Sequence, residues 1–456
     1  MAHAVVILAA GLGTRMKSKL PKVLHPLMGK PLVGYCIDTA FASGAEKVVV
    51  VIGHGAELVR KTFAGYQNLE FVVQDRQLGT AHALAQAKPA LAGYPNSVVV
   101  TQGDTPLTRV ETLTGLVEAI GDAGMAMLTM KLDDPSGYGR ILRDEQGEIV
   151  RNVEQKDATP EQRAIREINP GVYCFDHTVW ERLEAVDNNN AAKEYYLPDL
   201  IKLYRSAGKR VVSTESTDPG ELLGVNSRQQ LAQVEQVLIS RLCAHWMAQG
   251  VRIIRPETVY IEPTVQLEAD VTLWPGVILR GSTKIAEGAE VGAYSVLTDA
   301  VVEAGARVKS HSVLESAHLG AGSDAGPFAR LRAGTVVEEG VHIGNFVEIK
   351  NTRLKRGVKA GHVSYLGDAE IGEDSNIGAG TITANFDGKR KHKTVIGRGV
   401  FIGSNSTLIP PITIGDGAFV AGGSGINKDV PEDALAIARA RQENKDDFMK
   451  RKRESE

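Results

Sequence analysis

Cysteine is scarce in this 456-residue chain: Cys36, Cys174 and Cys243 stand far apart, and no Cys-x-x-Cys pair occurs. Such spacing suggests neither a disulfide framework nor a zinc site, and a reducing cytoplasm is the expected location. Long apolar runs are missing as well. No stretch approaches the ~20 residues that span a bilayer. The opening Val5-Val6-Ile7-Leu8 is too short for the apolar region of an export signal, and glycines and Arg15 follow at once. Neither a membrane partner nor export is expected. Nor is one sign of charge in excess: 52 basic against 55 acidic residues leave −3, which gives no global attraction to nucleic acid or anionic membrane and leaves small anions to local sites. A content of 43% hydrophobic and 23% charged residues argues against a disordered or fibrous chain, and the length implies two or three domains.

A period of six residues is abundant. Ile396, Ile402, Leu408, Ile414, Val420 and Ile426 form an unbroken aliphatic ladder. A longer one runs Ile261, Leu267, Leu273, Leu279, Ile285, Val291, Leu297, and Val302, Val308 and Leu314 resume it after a slip of one residue. Leu331, Val337, Ile343 and Ile349 make a third set, Ile371 and Ile377 the start of a fourth. This period fits neither an amphipathic helix nor a simple strand, but it fits a parallel β-helix whose rungs each turn one aliphatic inward. Glycine and alanine at 292–293, 304–305 and 378–379 suit turns where neighbouring coils stack closely. The ladder is interrupted between Leu314 and Leu331, from Lys350 to Gly361, and from Thr383 to Thr394. Basic residues, His362 and Asn385 cluster at these departures, so a site is expected there rather than on the regular rungs.

The first half reads differently. Apolar runs Ala4 to Leu8, Lys47 to Ile52, Ser97 to Thr101 and Ala126 to Met130 alternate with helical stretches, which predicts an α/β domain with a mostly parallel, Rossmann-like sheet. Helical spacing of Leu231, Val234, Leu238 and Leu242, stopped by Gly250, predicts a linker helix. The expected organisation is therefore 1–227, a linker at 228–250, a β-helix at 251–440, and a charged tail at 441–456. The small-residue loop Ala9-Ala10-Gly11-Leu12-Gly13-Thr14-Arg15 follows a strand and lets a nucleotide approach the backbone, though such loops also form turns that bind nothing. Arg15, Lys19 and Lys22 supply cations of the kind that phosphoryl chemistry needs. Asp104, at the carboxyl edge of a buried strand, could hold Mg²⁺ or could be an ordinary turn aspartate. His362 is the side chain best matched to take a proton from an attacking amine near neutral pH.

Leu8-Ala-Ala-Gly-Leu-Gly-Thr-Arg-Met16, Leu20-Pro-Lys-Val-Leu-His25, Gln77-Leu-Gly-Thr-Ala81 and Gly103-Asp104 follow in the order and spacing of the sugar-1-phosphate nucleotidyltransferases. Joined to the hexapeptide solenoid, the chain from about residue 4 to 440 resembles the bacterial bifunctional N-acetylglucosamine-1-phosphate uridyltransferase/glucosamine-1-phosphate acetyltransferases. The resemblance implies a left-handed β-helix, a homotrimer with each acetyl site between solenoids, Mg²⁺, and UTP and acetyl-coenzyme A as co-substrates. The product would be UDP-N-acetylglucosamine, a precursor for peptidoglycan and lipopolysaccharide. Position by position, it makes Arg15 and Lys22 the cations on the triphosphate, with Leu8, Ala9, Ala10 and Gly11 along the nucleotide. Gln74, Gly79 and Thr80 would recognise uracil, Asp104 and Asn226 would ligate Mg²⁺, and Gly139, Glu154 and Asn169 would hold the N-acetylhexosamine. His362 would be the general base of acetyl transfer, with Glu348 an orienting carboxylate. Arg332, Lys350, Tyr365 and Asn376 would bind the amino-sugar phosphate, and Ala379, Asn385, Phe386, Ser404, Gly422 and Arg439 acetyl-coenzyme A. Phe386 and Gly422 depart from the commoner Tyr and Ala. The cluster Lys389-Arg390-Lys391-His392-Lys393 could attract the coenzyme's phosphates or could be a solvated loop. Two other readings stand beside this one: a single-activity nucleotidyltransferase with an assembly solenoid, and a non-catalytic interaction protein.

Overall fold

The computed structural model describes residues 1–455 and divides into two compact units, Met1–Leu238 and Ile239–Glu456. The division falls within one helix, Arg228–Ala248, which covers the stretch where the leucine and valine spacing predicts it.

Unit one is built on a ten-stranded sheet. Its parallel portion runs Leu69–Val73, Lys47–Ile52, His3–Ala9, Ser97–Gln102, as the apolar runs foretell. Tyr173–Phe175 continues it antiparallel to Ser97–Gln102, followed by Met125–Lys131 and three further antiparallel strands, while Val211–Ser216 lies parallel to Met125–Lys131. Side chains alternate between faces, as a pleated strand requires. Ala4, Val6 and Leu8 pack with Leu84, Leu200 and Tyr204 on one face; Val5, Ile7 and Ala9 pack with Val33, Ile37 and Leu116 on the other. From His3–Ala9 the chain builds outward through two strands, then crosses back to Ser97–Gln102 on the opposite side. The carboxyl ends of these two neighbours diverge into separate loops, the usual place for a ligand in an open α/β sheet.

Unit two is a coil of short parallel strands arranged on three faces. Leu273, Val291, Val308, Ala325, Ile343, Ala360, Ile377, Ile402 and Val420 turn inward on the first. Leu279, Leu297, Leu314, Leu331, Ile349 and Leu366 do so on the second, and Leu267, Ile285, Val302, Leu319, Val337, Leu354 and Ile371 on the third. Each predicted rung residue is buried. Glycine occupies a corner where coils approach closely: a β-carbon on Gly344 would fall on the carbonyl of Gly361.

Two of the three expected interruptions do not exist. Leu319 and Ala325 fill the first, and Leu354 and Ala360 fill the second, all buried and paired in register. A strict six-residue aliphatic scan misses them because the third-face turn is sometimes one residue shorter and because alanine serves as a rung. The third interruption is an insertion. Thr383 takes a rung position, with its hydroxyl accepting from Gly367 N at 2.7 Å, and the chain then leaves the coil until Thr394 pairs with Ala369. Within the excursion Phe386 bridges antiparallel to Lys391, so the loop is a small hairpin.

Candidate active sites

The first site forms where the loops after His3–Ala9 and Ser97–Gln102 face each other. Leu8, Ala9, Ala10, Gly11, Lys22, Gln74, Gly79, Thr80 and Asp104 all line one cleft of about 690 Å³. Lys22 is the hub. Its Nζ donates to Asp104 Oδ2 at 2.5 Å and to Asn226 Oδ1 at 3.0 Å, so two acceptors more than a hundred residues apart in sequence converge on one ammonium. The root of Lys22 is fixed by close packing: a β-carbon on Gly13, which has φ +63°, would lie 2.6 Å from Lys22 Cβ. Behind the Asp104 turn, the Cys36 thiol donates to the carbonyls of Gln102 and Thr105, and burial pushes it up to about 12, so it braces the turn and is no nucleophile.

Gln74 is buried and its amide donates to Gly79 O at 3.1 Å, with His82 Nδ1 2.9 Å away. Gly79 has to be glycine here. With φ +115°, its missing β-carbon would sit 2.7 Å from Tyr195 N, where the chain around Tyr195 is laced to Leu78 and Ala81 by backbone hydrogen bonds. Thr80 Oγ1 accepts from Leu197 N at 3.0 Å.

Gly139, Glu154 and Asn169 line a second cleft of about 740 Å³, to which Thr80 and Gln102 also belong, so the two clefts are continuous. Glu154 Oε1 accepts from Asn152 Nδ2 at 2.7 Å, and burial holds its carboxyl above the usual carboxylate range. Asn169 is buried, its amide oxygen accepting from Gly171 N at 3.0 Å and its amide nitrogen 2.7 Å from the Tyr173 hydroxyl.

Arg15 is exposed on the 3₁₀ turn Thr14–Met16 and is not among the residues lining the cleft. The lining also includes residues that sequence reasoning passed over. Gln77 reaches Ala10 O at 3.4 Å and Gln102 reaches Gly171 O at 3.0 Å; both stand inside motifs that were legible, which was the available signal. Glu194 lines both clefts and Tyr196 the second, and neither carries a motif.

In unit two, the register stacks Asn345 under His362, and continuing it carries Ala379, Ser404 and Gly422 onto the same edge. His362 is exposed, with Nδ1 3.4 Å from Asn345 Oδ1. Within a single chain Glu348 does not make the orienting contact with His362. Glu348 accepts from Arg332 Nη1 at 2.9 Å, and the residue one coil below His362 is Asn345. Glu348 and Tyr365 are register partners on the second face, whereas Asn376 aligns with His342, Lys359 and Phe401 on the first. A single chain therefore spreads the expected sugar-phosphate ligands over two faces.

Lys391 comes down from the hairpin onto Lys350, whose ammonium is held below its ordinary range by Lys391 beside it and, further off, by Arg332. Other basic side chains of the hairpin are partly committed elsewhere: His392 Nε2 lies 2.7 Å from Asp387 Oδ2, and Lys393 Nζ lies 2.8 Å from Glu370 Oε2. Asn385 is buried with its amide donating to Asp368 Oδ2 at 2.5 Å, while Phe386 is exposed. Arg439 Nη1 donates to Gly422 O at 2.8 Å, and an alanine β-carbon at 422 would sit 3.1 Å from Ser404 O.

Comparison with known proteins agrees with both halves. Residues 4–246 match the model of the nucleotidyl transferase family, and residues 393–428 match the bacterial transferase hexapeptide (six repeats) model. The chain is similar to a bifunctional protein GlmU of Thermus thermophilus, 58% identical over 451 residues, 99% of each chain. It is 48% identical to that of Stutzerimonas stutzeri, again over 99% of each chain, and 47% identical to that of Brevibacillus brevis, over 98% of this chain and 96% of the relative. With a cleft at the sheet switch point, a hexapeptide coil and similarity along nearly the whole length, the chain belongs to the family of bifunctional GlmU proteins.

Proposed function

We propose that the two units make UDP-N-acetylglucosamine in sequence: unit two moves the acetyl group of acetyl-coenzyme A to glucosamine-1-phosphate, and unit one moves the uridyl group of UTP to the N-acetylated sugar phosphate. The observation that carries the uridyl step is the convergence of Lys22, Asp104 and Asn226 at the mouth of a cleft continuous with the one holding Glu154 and Asn169.

In unit one the backbone of Leu8 to Gly11 lies along the nucleotide, and Gln74, Gly79 and Thr80 hold uracil. Gly139, Glu154 and Asn169 hold the sugar so that its phosphate oxygen meets the α-phosphorus in line with the departing pyrophosphate. That oxygen is already a nucleophile, so positioning and charge carry the rate and no general base is needed. Arg15 and Lys22 supply cations to the phosphates. Asp104 and Asn226 present two oxygens to one point already occupied by a cationic group, which suits a small hard ion that takes its remaining ligands from water and nucleotide. Among the described residues no group of three or more His, Cys, Asp or Glu could form a fuller metal cage. Mg²⁺ bound there would neutralise charge developing on the phosphates.

In unit two, His362 Nδ1 lies 3.4 Å from Asn345 Oδ1, and the tautomer that donates Nδ1–H there keeps the Nε2 lone pair free as the base. It takes the proton as the sugar amine bonds to the thioester carbon and the coenzyme thiolate leaves. Arg332, Lys350 and Tyr365 hold the sugar phosphate, and Ala379, Asn385, Phe386, Ser404, Gly422 and Arg439 border the coenzyme. Asn376 faces the other way, which supports a trimer in which a second copy completes each site. Both steps are placed in the cytoplasm, where the three buried cysteines stay reduced. No helix among the described residues is long and apolar enough to cross a membrane.

Two assays on the full chain test this reading. His362→Ala should lose acetyl transfer, read as free thiol, and keep pyrophosphate release; Arg15→Ala should do the reverse. Mixing inactive Arg332→Ala and Asn376→Ala chains and reassembling them should restore acetyl transfer in part. Absence of any rescue argues for a site contained in one chain.

A further inference from the structure

Lys22 occupies the very pair of oxygens assigned above to the metal. Its ammonium lies 2.5 Å from Asp104 Oδ2 and 3.0 Å from Asn226 Oδ1, and its side chain is only 9% exposed, so little water competes for the contact. A divalent ion that enters between these oxygens meets a positive charge already in place. Both cannot share the point, because the two charges would repel at hydrogen-bonding distance in a partly dry site.

The rest of Lys22 shows how the conflict is resolved. Its Cβ is wedged against Gly13, and the preceding Pro21 is wedged against Gly55, so the residue's base cannot move far. The tip is different. Nζ also lies 4.0 Å from the place a Gly11 β-carbon would take, so the same ammonium borders the loop along which the nucleotide is to lie. Rotation of the outer side-chain torsions is enough to carry the charge off the oxygens without disturbing the backbone.

We propose that Lys22 is a built-in counter-ion of the metal site: it neutralises Asp104 while the site is empty of metal, and an arriving divalent ion displaces it toward the nucleotide's phosphates. The displacement couples the two ligands. Metal binding frees the lysine for phosphate, and phosphate, by holding the lysine, opens the oxygens to metal. The inference rests on the assignment of Asp104 and Asn226 to the metal.

The test is Mn²⁺ binding to the full-length protein without nucleotide, followed by electron paramagnetic resonance of the free ion. Lys22→Met keeps the side chain's reach to within one atom and removes its charge. Although it removes a cation from the phosphate site, it should bind Mn²⁺ about ten- to a hundredfold more tightly, the equivalent of one charge-assisted hydrogen bond that no longer has to be broken. UTP should tighten Mn²⁺ binding less in Lys22→Met than in the wild type. Equal or weaker Mn²⁺ binding by a folded Lys22→Met protein overturns the displacement. Asp104→Ala in the same background separates this from failure of the metal assignment: if it leaves the Mn²⁺ affinity of Lys22→Met unchanged, the metal lies elsewhere. The unaltered protein offers an independent check. Reductive methylation of Lys22, followed by mass spectrometry, should speed up when Mn²⁺ alone is added, and an unchanged rate counts against displacement.

Discussion

Replacing Gly139 by alanine should weaken the sugar-binding half of the uridyl site through a residue that touches neither reacting atom. Gly139 begins a strand facing Ile149–Val153, and an alanine β-carbon there would lie 2.7 Å from Asn152 Nδ2 and closer still to its Oδ1. Backbone pairing holds both strands, so the Asn152 amide is the part that gives way. It is also the donor to Glu154 Oε1 at 2.7 Å. Losing a hydrogen bond to a charged group is worth about 1.5–3 kcal/mol, and overpacking adds about 1–3 kcal/mol of strain to the fold. If the first quantity is felt wholly in positioning the sugar, KM for N-acetylglucosamine-1-phosphate rises about ten- to a hundredfold. The assay is pyrophosphate release with the sugar phosphate and UTP varied separately, and acetyl transfer measured as a control on the other unit. KM for UTP should stay within about twofold, because the residues proposed for the nucleotide are different ones. The cause is isolated by Asn152→Ala: once the amide is gone, adding Gly139→Ala should cost little more. Full additivity of the two changes, or an equal rise in both KM values, refutes the steric route through Asn152.

Asn345→Ala should lower kcat of acetyl transfer about tenfold while leaving uridyl transfer unchanged, because His362 loses the acceptor that holds its tautomer; an unaltered pH–rate profile and kcat would remove Asn345 from the site. Glu154 is held above the ordinary carboxylate range by burial, so as pH falls its loss of charge begins at a higher pH than for an exposed glutamate. KM for the sugar phosphate should therefore climb on the acid side, and Glu154→Gln should flatten that limb; an identical pH dependence in both proteins argues that Glu154 does not meet the sugar. Glu370 is held at about 2 by Lys393 first and Lys355 next. Its pKa is depressed, so the stabilisation is complete above the ordinary glutamate value and is lost as pH falls toward 2. Lys393 is exposed and Glu370 and Lys355 are partly exposed, so solvent screens the pairs, Glu370→Gln should cost under about 1 kcal/mol in thermal melts at neutral pH, and the difference should vanish as pH falls below 2.

The ladder residues show what was legible in the chain and why. A rung must bury one aliphatic at each turn, so Ile396 through Ile426 announce the coil by period alone. The first cleft was legible in part: small residues and a cation after one buried strand, and an aspartate after another, mark the edge where open sheets bind ligands, though each alone also fits a plain turn and the motif order supplied the rest. The partner of His362 was not. The resemblance offers Glu348, but within one chain the residue beneath His362 depends on the length of that coil, and the register makes it Asn345. The apparent gaps failed similarly, because Ala325 and Ala360 serve as rungs only when the coils above and below crowd them.

By itself, then, the sequence determined a sheet unit with a small-residue loop after its first strand, a hexapeptide coil, and a set of residues whose chemistry suits two group transfers. These follow from local pattern, since burial repeats with the geometry of each element. Tertiary structure alone decided that Lys22 sits between Asp104 and Asn226, that Lys391 descends onto Lys350, that Glu348 is committed to Arg332, and that Asn376 looks away from Tyr365. Each is a meeting between segments distant in sequence or one coil apart. Such meetings are set by strand register and loop closure, which depend on packing between segments and leave no periodic trace in any one of them.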